Sequence, residues 1–296
     1  MKGFFNGSAT ALITPFGENG VKYDVLGELV ERQIAGGTDA IVFLGTTGEP
    51  STMSFEEEHE LMDYAVKKVN GRCKVVFGCG SNCTADAVAT AKAAEKFGAD
   101  GLLAVTPYYN KCTQNGLVAY YKAICEAVSI PVIAYNVPGR TGVEIQPATM
   151  AKIAEIPNIA GIKDAGGNMS KTMETFRLVR EKCDVYSGED ALNFPILAVG
   201  GVGVISVLSN ILPKEVKQLC TLVKAGKLDE AASLNDKLLP VANACFVEVN
   251  PIPVKEAVNL IGFNVGTPRA PLTKIEDCNR EKLIAAMKNY GMEIKA

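Results

Sequence analysis

A lysine lies at the end of an apolar, strand-like segment of the sequence. In "NIAGIKDA" (158–165), Ile159, Ala160 and Ile162 precede Lys163 directly. Buried ammonium groups are rare in proteins because their removal from water costs several kcal/mol. Burial disfavours the charged form, and a neutral amine can attack a carbonyl carbon to form a Schiff base. Lys163 is therefore a candidate nucleophile.

Lys163 can also be interpreted as an electrostatic anchor, paired with Asp164 or with the carboxylate of a substrate. Consecutive residues of a strand point to opposite faces of the sheet, which argues against a pair between these two neighbours. The sequence therefore favours the nucleophile and leaves the substrate anchor as the alternative.

Two further apolar segments end in groups that suit a small anion. "GTTGEPST" (45–52) places Thr46 and Thr47 between glycines, where hydroxyls and backbone N–H groups can face a carboxylate; the alternative is a tight turn with threonine caps. "YNVPGRTG" (135–142) places Arg140 in a loop stiffened by proline. Its guanidinium matches the two oxygens of a carboxylate, although a surface arginine in a turn would have the same sequence.

Three tyrosines also lie on or directly after apolar, strand-like segments. Tyr108 and Tyr109 lie in "TPYYNK" (106–111), and Tyr135 lies on the next apolar segment. A tyrosine hydroxyl both donates and accepts, so it can relay a proton, whereas a plain packing or interface role is the alternative. Together with a lysine nucleophile, these groups suit carbonyl chemistry on a small keto-acid. The imine would draw electrons from the adjacent carbon, and the resulting enamine could attack an aldehyde.

Eight apolar segments must position these groups, and helical patterns alternate with them. The predicted strands are 8–14, 39–45, 74–80, 101–109, 131–138, 159–165, 184–188 and 203–209. Amphipathic stretches such as 24–37, 55–69 and 84–100 lie between them. Near-continuous apolar strands alternating with helices predict a parallel sheet covered on both faces. Eight units favour a closed (β/α)₈ TIM barrel over a doubly wound open sheet, and a barrel collects its functional groups at the carboxyl ends of its strands.

The strand patterns stop after residue 210. The stretches 213–246 and 253–263 have helical periodicity. We therefore predict a barrel catalytic domain over residues 1–212 and a C-terminal helical region over residues 213–296.

Composition excludes several classes of function. The 296 residues carry 30 basic and 33 acidic side chains without a long run of either sign, so no nucleic-acid surface is expected. No segment reaches the roughly 20 apolar residues that span a bilayer, and the N-terminal apolar run is too short for a signal peptide, so the protein is predicted to be cytoplasmic. The nine cysteines form no CxxC pair and there is one histidine. We therefore expect no metal, no cofactor and ordinary thiols.

Five motifs resemble one family. "GTTGE", "TPYYNK", "YNVPGRTG", "GIKDA" and "SGED" occur here in the order found in the dihydrodipicolinate synthase (4-hydroxy-tetrahydrodipicolinate synthase) family. These enzymes are pyruvate-dependent class I aldolases of lysine and diaminopimelate biosynthesis. The resemblance covers essentially the whole chain. It implies a (β/α)₈ barrel and a lyase that condenses pyruvate with aspartate semialdehyde, with the two substrates as its partners.

The resemblance also implies roles for the residues around the nucleophile. Lys163 would form the Schiff base with pyruvate, and Thr46 and Thr47 would hold the pyruvate carboxylate. Thr47 would also join a hydroxyl relay with Tyr135 and Tyr109. In the family this last tyrosine reaches into the active site of the neighbouring subunit, which implies a tight dimer and, by family precedent, a homotetramer built from two such dimers.

The remaining roles concern the second substrate and the choice of reaction. Arg140 would bind the carboxylate of aspartate semialdehyde, while Gly188 and Ile205 would line the site through their backbone. N-acetylneuraminate lyase and the keto-deoxy sugar-acid aldolases share the lysine and tyrosine and are the alternative function. Thr46 and Arg140 favour the synthase over them. The complete set of residues argues against a non-catalytic homologue that only senses pyruvate or an amino acid.

A regulatory site is implied more weakly. Some family members bind lysine at the dimer interface, and the positions that match are Pro50, Ser51, Phe55, Glu58, Asn82, Asp86 and Tyr108. Feedback-sensitive enzymes often have a histidine where this chain has Glu58 or, with a shift of one residue, His59. Our hypothesis is weak or absent inhibition by lysine.

Overall fold

Eight parallel strands close into a barrel in the computed structural model, which describes residues 2–295. The barrel strands are β1 (Gly7–Ala11), β2 (Ala40–Phe43), β3 (Lys74–Gly78), β4 (Gly101–Val105), β5 (Val132–Asn136), β6 (Ile159–Asp164), β7 (Asp184–Ser187) and β8 (Gly203–Ser206). Each strand pairs with the next along the chain, and β8 pairs with β1. The predicted barrel is confirmed, and the open-sheet alternative is wrong.

Helices cover the outside of the barrel and form the C-terminal region. They are α1 (Tyr23–Ala35), α2 (Phe55–Val69), α3 (Thr84–Phe97), α4 (Gln114–Ala127), α5 (Pro138–Thr141), α6 (Pro147–Ile153), α7 (Met169–Val179), α8 (Asn193–Ala198), α9 (Pro213–Lys224), α10 (Leu228–Ala244), α11 (Ile252–Leu260) and α12 (Asp277–Tyr290). A short antiparallel hairpin joins Phe16–Gly17 to Gly20–Val21.

The barrel strands are apolar along their length because both of their faces are buried. In β2, Ala40 and Val42 belong to the core inside the barrel, whereas Ile41 and Phe43 pack in the layer between strands and helices. Burial on both faces produces the near-continuous apolar runs that the sequence shows. The inner core also holds Tyr135, which places an aromatic hydroxyl inside the barrel.

Helix α2 shows how local sequence fixes an element near the mouth of the barrel. The Ser54 hydroxyl accepts a hydrogen bond from the Glu57 N–H, and the Glu57 carboxylate accepts one from the Ser54 N–H. This reciprocal cap satisfies two free N–H groups and contributes about 1 kcal/mol. Leu61, Met62 and Ala65 then face the core at helical spacing. The cap therefore fixes the point where the loop after β2 ends.

Helix α9 packs against the barrel, and the later helices lie beyond it. Lys217 on α9 places its Nζ 2.6 Å from the Asp39 carboxylate, which precedes β2. Val216 and Leu219 on the same helix are buried. The division of the chain at residue 213 remains a prediction. Within residues 2–295, no helix combines the length and the apolar character needed to cross a membrane.

The cysteines are free thiols. Five of them are buried, namely Cys79, Cys125, Cys183, Cys220 and Cys245. Burial raises the pKa of Cys79 and of Cys125 to about 12, which keeps both thiols protonated near neutral pH and therefore unreactive. In the part of the chain that the structure describes, no cluster of three or more histidine, cysteine or acidic residues could hold a metal ion.

Candidate active site

Lys163 and Tyr135 face each other inside the mouth of the barrel. Lys163 is the penultimate residue of β6, is 4% exposed and lies directly opposite Tyr135 of β5 in the strand register. Residues that are opposite each other on paired strands point to the same face of the sheet. The Nζ atom of Lys163 lies 4.2 Å from the centre of the Tyr135 ring. The structure therefore brings the predicted nucleophile and a predicted proton carrier into contact.

Asp164 points away from Lys163, as strand alternation requires. Its carboxylate accepts hydrogen bonds from the Thr172 hydroxyl at 2.6 Å, from the Gly166 N–H at 3.0 Å and from the Asn136 amide at 3.3 Å. These donors satisfy the acid on the far side of the sheet. No Lys163–Asp164 ion pair occurs among the described residues, so this form of the anchor hypothesis is wrong.

Gly188 provides the space that the Lys163 side chain occupies. A Cβ atom at this position would lie 2.7 Å from Cε and 2.8 Å from Cγ of the lysine, closer than carbon atoms pack. The Gly188 N–H donates to the Asp164 carbonyl at 2.8 Å, which holds the chain beside β6 after β7 has ended. A larger residue at this position would therefore displace the lysine side chain.

Two acids after Gly188 shape the charge and the backbone of this side of the site. Burial and the neighbouring Asp190 raise the pKa of Glu189, whereas Lys163 lowers it, so this carboxyl lies within electrostatic range of the amine. Asp190 is buried and accepts hydrogen bonds from the N–H groups of Val207 and Leu208 at 2.9 and 2.8 Å. It thereby fixes the loop that follows β8.

The threonine pair forms a tight turn directly after β2. Residues Thr46–Gly48 make one turn of 3₁₀ helix, with Thr47 buried and Thr46 half-buried. The Thr47 Oγ1 atom accepts a hydrogen bond from the Asn250 side-chain amide at 2.9 Å, and the Gly48 carbonyl accepts one from the Thr14 hydroxyl at 2.7 Å. The turn is therefore held from two different parts of the chain.

Arg140 lies in the short helix α5 after β5, with an exposed side chain. Its Nη2 donates to the Asn250 carbonyl at 3.1 Å. The next residue, Thr141, is buried and accepts a hydrogen bond from the Thr106 hydroxyl at 3.1 Å. This bond ties the loop to the end of β4, so the guanidinium projects from a fixed base.

Asn250 joins the two predicted carboxylate-binding groups, and sequence reasoning missed it. Its side-chain amide contacts Thr47 and its carbonyl contacts Arg140. The residue is 5% exposed, and its Oδ1 atom is buried without a hydrogen-bond partner within residues 2–295. Asn250 lies just before α11, outside the strand ends where a barrel site is sought. The Asn-Pro pair in "VNPIPVK" (249–255) signals only a turn before a helix.

One cavity of about 810 Å³ opens at this end of the barrel. The predicted substrate and relay residues on its wall are Thr46, Tyr109, Tyr135 and Arg140, and the predicted regulatory residues are Pro50, Ser51, Phe55, Glu58, Asp86 and Tyr108. Asn82 is next to the lining residue Ser81 and accepts a hydrogen bond from the Asn110 amide through its carbonyl. Members of both predicted sets therefore border one continuous space, whereas the cavity wall formed by the described residues does not include Lys163, Thr47, Gly188 or Ile205.

Glu58, and not His59, faces this cavity. Burial raises the pKa of Glu58 from its ordinary 4.5 to about 7. His59 is exposed on α2, and its ring centre lies 5.5 Å from that of Phe97. Of the two candidates that the sequence left open, the acid therefore lies next to the other predicted regulatory residues, and its match to the family's histidine stays a prediction.

Tyr109 borders the cavity with a side chain that is almost fully exposed. The side chain is 90% exposed, and the backbone adopts a left-handed φ of 67°, which is unfavourable for a residue with a bulky side chain. Within residues 2–295, no hydrogen bond joins the Thr47 hydroxyl to Tyr135 or to Tyr109, so the three-residue relay stays a prediction. Ile205 is buried in the inner barrel core together with Tyr135, opposite Ala9 of β1.

A closed (β/α)₈ barrel with a buried amine at its carboxyl-terminal mouth is the arrangement expected of lyases that act on carbonyl substrates through a lysine imine. Residues 4–290 match the model of the dihydrodipicolinate synthetase family. The chain belongs to this family.

Known members of this family are similar to this protein in sequence and structure over nearly the whole chain. The 4-hydroxy-tetrahydrodipicolinate synthase of Caldicellulosiruptor bescii is 51% identical over 292 residues, which are 98% of this chain and 99% of that protein. The dihydrodipicolinate synthase structure from Aquifex aeolicus is 43% identical, with a TM-score of 0.96 over 99% of this chain and 100% of that one. The chloride-inhibited enzyme from Acinetobacter baumannii, complexed with pyruvate, is 43% identical, with a TM-score of 0.95 over 97% and 99% of the two chains. The predicted synthase is confirmed over the sugar-acid lyase alternative.

Proposed function

We propose that this chain condenses pyruvate with aspartate semialdehyde through a Schiff base on Lys163. The observation that carries the proposal is the burial of the Lys163 amine against Tyr135, with its side chain in the space that Gly188 leaves open. An amine in this position is shielded from water yet lies at the carboxyl ends of the strands, where barrel enzymes bind their substrates.

The reaction follows from the chemistry of the amine. The neutral Nζ attacks the carbonyl carbon of pyruvate, the C–N bond forms, and the carbonyl oxygen takes up protons and leaves as water. The imine draws electrons from the methyl carbon, which loses a proton to give an enamine. The enamine carbon attacks the aldehyde carbon and forms the new C–C bond and a hydroxyl group. The amino group of the second substrate then attacks the imine carbon, closes the ring and releases Lys163.

Tyr135 is the residue to which we assign the proton transfers around the amine. Its ring contacts Nζ, and its hydroxyl can both donate and accept. Positioned acids and bases of this kind contribute roughly 10²–10⁴-fold to a rate. The tyrosine therefore accounts for transfers that the lysine cannot perform while it is covalently bound.

Thr46 and Thr47 are proposed to hold the pyruvate carboxylate. A threonine hydroxyl has one proton to donate and two lone pairs. Because the Asn250 amide already donates to Thr47 Oγ1, the threonine proton is directed to a different acceptor. That acceptor would be the substrate carboxylate or the next member of the hydroxyl relay.

Arg140 is proposed to bind the carboxylate of aspartate semialdehyde. One of its amino groups is held by the Asn250 carbonyl, and the remaining N–H groups of the guanidinium can reach a ligand in the cavity. Two parallel N–H donors match the two oxygens of a carboxylate. The arginine and the threonine turn would thus hold one carboxylate each.

Tyr109 supports the proposal of an oligomer. An exposed tyrosine in a left-handed backbone conformation is costly unless another surface covers it. We propose that it enters the site of a second copy of the chain in a tight dimer and completes the hydroxyl relay there. Two such dimers would form the homotetramer.

Weak or absent inhibition by lysine remains our proposal for the regulatory residues. Glu58 lines the cavity where a feedback-sensitive enzyme often has a histidine. Inhibition curves with lysine over the micromolar to millimolar range test this, and strong inhibition below millimolar lysine would contradict it.

The main test measures the condensation itself. Formation of the product is coupled to a dihydrodipicolinate reductase and followed through its nicotinamide cofactor. We expect turnover by the wild type and none by Lys163→Ala or by Lys163→Arg, which keeps the charge but cannot form the imine. Borohydride with pyruvate should trap a covalent adduct on the wild type only. Equal turnover by the wild type and Lys163→Ala would refute the assigned nucleophile.

A further inference from the structure

A buried ion pair connects the threonine turn to the C-terminal helices. The Lys255 Nζ on α11 lies 2.6 Å from Glu49 Oε1, and the two side chains are 0% and 2% exposed. Among the ion pairs of residues 2–295, this is the only one with both partners almost completely removed from water. Burial of two charges costs about as much as their attraction returns, so such a pair is poorly explained by stability alone.

Further contacts fix the geometry of both charges. The second carboxylate oxygen of Glu49 accepts a hydrogen bond from the Arg269 N–H at 2.8 Å. The Lys255 Nζ lies 4.3 Å from the centre of the Phe16 ring and 3.4 Å from the Thr267 carbonyl. Burial lowers the pKa of Lys255, while Glu49 acts in the opposite direction. The positions of the two side chains are therefore tightly specified.

Glu49 directly follows the threonine turn, so the contacts that fix its side chain also restrict the backbone of the turn. It ends the turn Thr46–Gly48 with a left-handed φ of 57°, and its N–H donates to the Thr46 carbonyl at 3.2 Å. A residue other than glycine adopts this backbone conformation only when its surroundings hold it there. The carboxylate supplies that hold through Lys255 and Arg269.

Lys255, the second partner of the ion pair, lies in the same segment of the chain as Asn250. This residue lies two positions before α11 and donates to Thr47, while Lys255 lies within α11. The threonine turn and Glu49, which ends it, are therefore bonded twice to the segment 250–255, once before α11 and once within it. Within residues 2–295, the segment after β1 adds one further hydrogen bond, from the Thr14 hydroxyl to the Gly48 carbonyl, so the segment 250–255 contributes two of the polar contacts that hold the turn and Glu49.

We infer that Glu49 and Lys255 are positioning residues for the pyruvate-binding turn, and that their ion pair aligns Thr46 and Thr47 with the Lys163 amine. The inference rests on the proposed function, in which this turn holds the pyruvate carboxylate. It predicts an effect on pyruvate binding and imine formation, with a much smaller effect on the aldehyde that Arg140 binds.

The central experiment replaces the ion pair with a neutral pair. Glu49→Gln or Lys255→Met alone leaves one charge buried and unpaired, so each single variant is expected to be less stable. Glu49→Gln/Lys255→Met removes both charges and should fold. We expect its KM for pyruvate to rise about tenfold or more, with slower borohydride trapping of the imine and an aldehyde KM within about twofold of wild type.

A matched control removes a neighbouring pair on the same helix. Glu256 of α11 forms an ion pair with Arg280 of α12 at 2.6 Å, away from the turn. Glu256→Gln/Arg280→Met should leave the pyruvate KM unchanged. Thermal unfolding and size-exclusion chromatography of both double variants report any loss of stability or assembly.

A second variant covers the case in which the neutral pair does not fold. Glu49→Asp keeps the charge but shortens the side chain by one methylene, so it should raise the pyruvate KM with a smaller loss of stability. A folded double variant, or a folded Glu49→Asp variant, with the wild-type pyruvate KM and trapping rate would overturn the inference. Failure of the proposed function is a separate result, because the wild type would then show no pyruvate adduct and no condensation.

Discussion

The Lys163 amine lies 4.2 Å from the centre of the Tyr135 ring, and the two residues occupy the same register position on neighbouring strands. The register extends one strand further, since Lys163 is also opposite Tyr186 of β7. The two tyrosines differ in their hydroxyl groups. That of Tyr186 donates to the Phe5 carbonyl at 3.0 Å and is thereby occupied, whereas that of Tyr135 has no hydrogen bond within residues 2–295.

This difference makes the two tyrosines a matched pair for mutation. Tyr135→Phe keeps the ring beside the amine and removes the hydroxyl, so we expect kcat to fall about 10²–10⁴-fold with a small change in pyruvate KM. Tyr186→Phe should keep kcat and lose about 1 kcal/mol of stability through its hydrogen bond to Phe5. Steady-state kinetics and thermal unfolding of both variants test this. Equal kcat values for the two variants would show that the Tyr135 hydroxyl takes no part in proton transfer.

Gly188→Ala tests whether the lysine needs the space beside it. The new methyl group would lie 2.7 Å from Lys163 Cε, and because a flexible side chain is the nearest neighbour, the lysine should move while the fold is retained. A displacement of about 1 Å at a reacting group costs up to about a hundredfold in rate. We expect borohydride trapping with pyruvate to slow by at least about tenfold at an unchanged melting temperature. Trapping at the wild-type rate would show that Lys163 reaches its reactive position without the space beside Gly188.

Asn250→Asp tests the donor to Thr47. The change is nearly isosteric but replaces the amide donor with a carboxylate oxygen, which draws the Thr47 proton towards itself. The backbone contact to Arg140 is retained, since the carbonyl is unchanged. We expect kcat/KM for pyruvate to fall about tenfold, as for the loss of one hydrogen bond. Asn289→Asp, at an exposed position of α12, adds the same charge and should have no effect.

Arg140→Ala tests the clamp for the second substrate. Loss of hydrogen bonds to a charged group costs about 1.5–3 kcal/mol, so we expect kcat/KM for aspartate semialdehyde to fall by about one to two orders of magnitude. Imine formation with pyruvate alone should remain at the wild-type rate, because the threonine turn holds that carboxylate. The assignment is wrong if the variant matches wild type in kcat/KM for the aldehyde.

Glu58 gives a prediction about pH. Its pKa is raised by burial to about 7, against 4.5 in an unfolded chain. Between these values the folded state binds the proton and the unfolded state does not, so this group makes the protein less stable as pH rises from 4.5 to about 7. Glu58→Gln stays neutral at every pH. Its melting temperature, relative to wild type, should therefore be higher at about pH 8 than at about pH 5. An equal difference at the two pH values would contradict the assigned shift.

The sequence predicted the barrel because its strands are buried on both faces. Each of the eight predicted segments overlaps a barrel strand, although several end too late and segment 8–14 begins one residue after the start of β1. Segment 101–109 ends as a strand at Val105, since Thr106 and Pro107 begin the loop, and Pro107 cannot donate a hydrogen bond to a neighbouring strand. The helical stretch 213–246 is two helices, α9 and α10, separated by Gly226 with a φ of 73°. The pattern fixes the type of each element better than its boundary.

The chemistry could also be predicted where it lies at the ends of strands. Lys163 was found because an amine at the end of an apolar strand is unusual, and Arg140 and the two threonines were found because their loops follow strands. In each case the signal was local: a polar residue next to an apolar run that the topology places at the mouth of the barrel.

Contacts between distant parts of the chain could be identified only from the tertiary structure. Asn250 lies 203 residues from the Thr47 that it contacts, and Lys255 lies 206 residues from Glu49. Helical periodicity shows which face of α11 is buried but not against which loop, so it cannot identify a partner. The choice between Glu58 and His59 was open for the same reason. A sequence pattern fixes local conformation and burial, whereas the pairing of distant side chains depends on how the whole chain closes around the barrel.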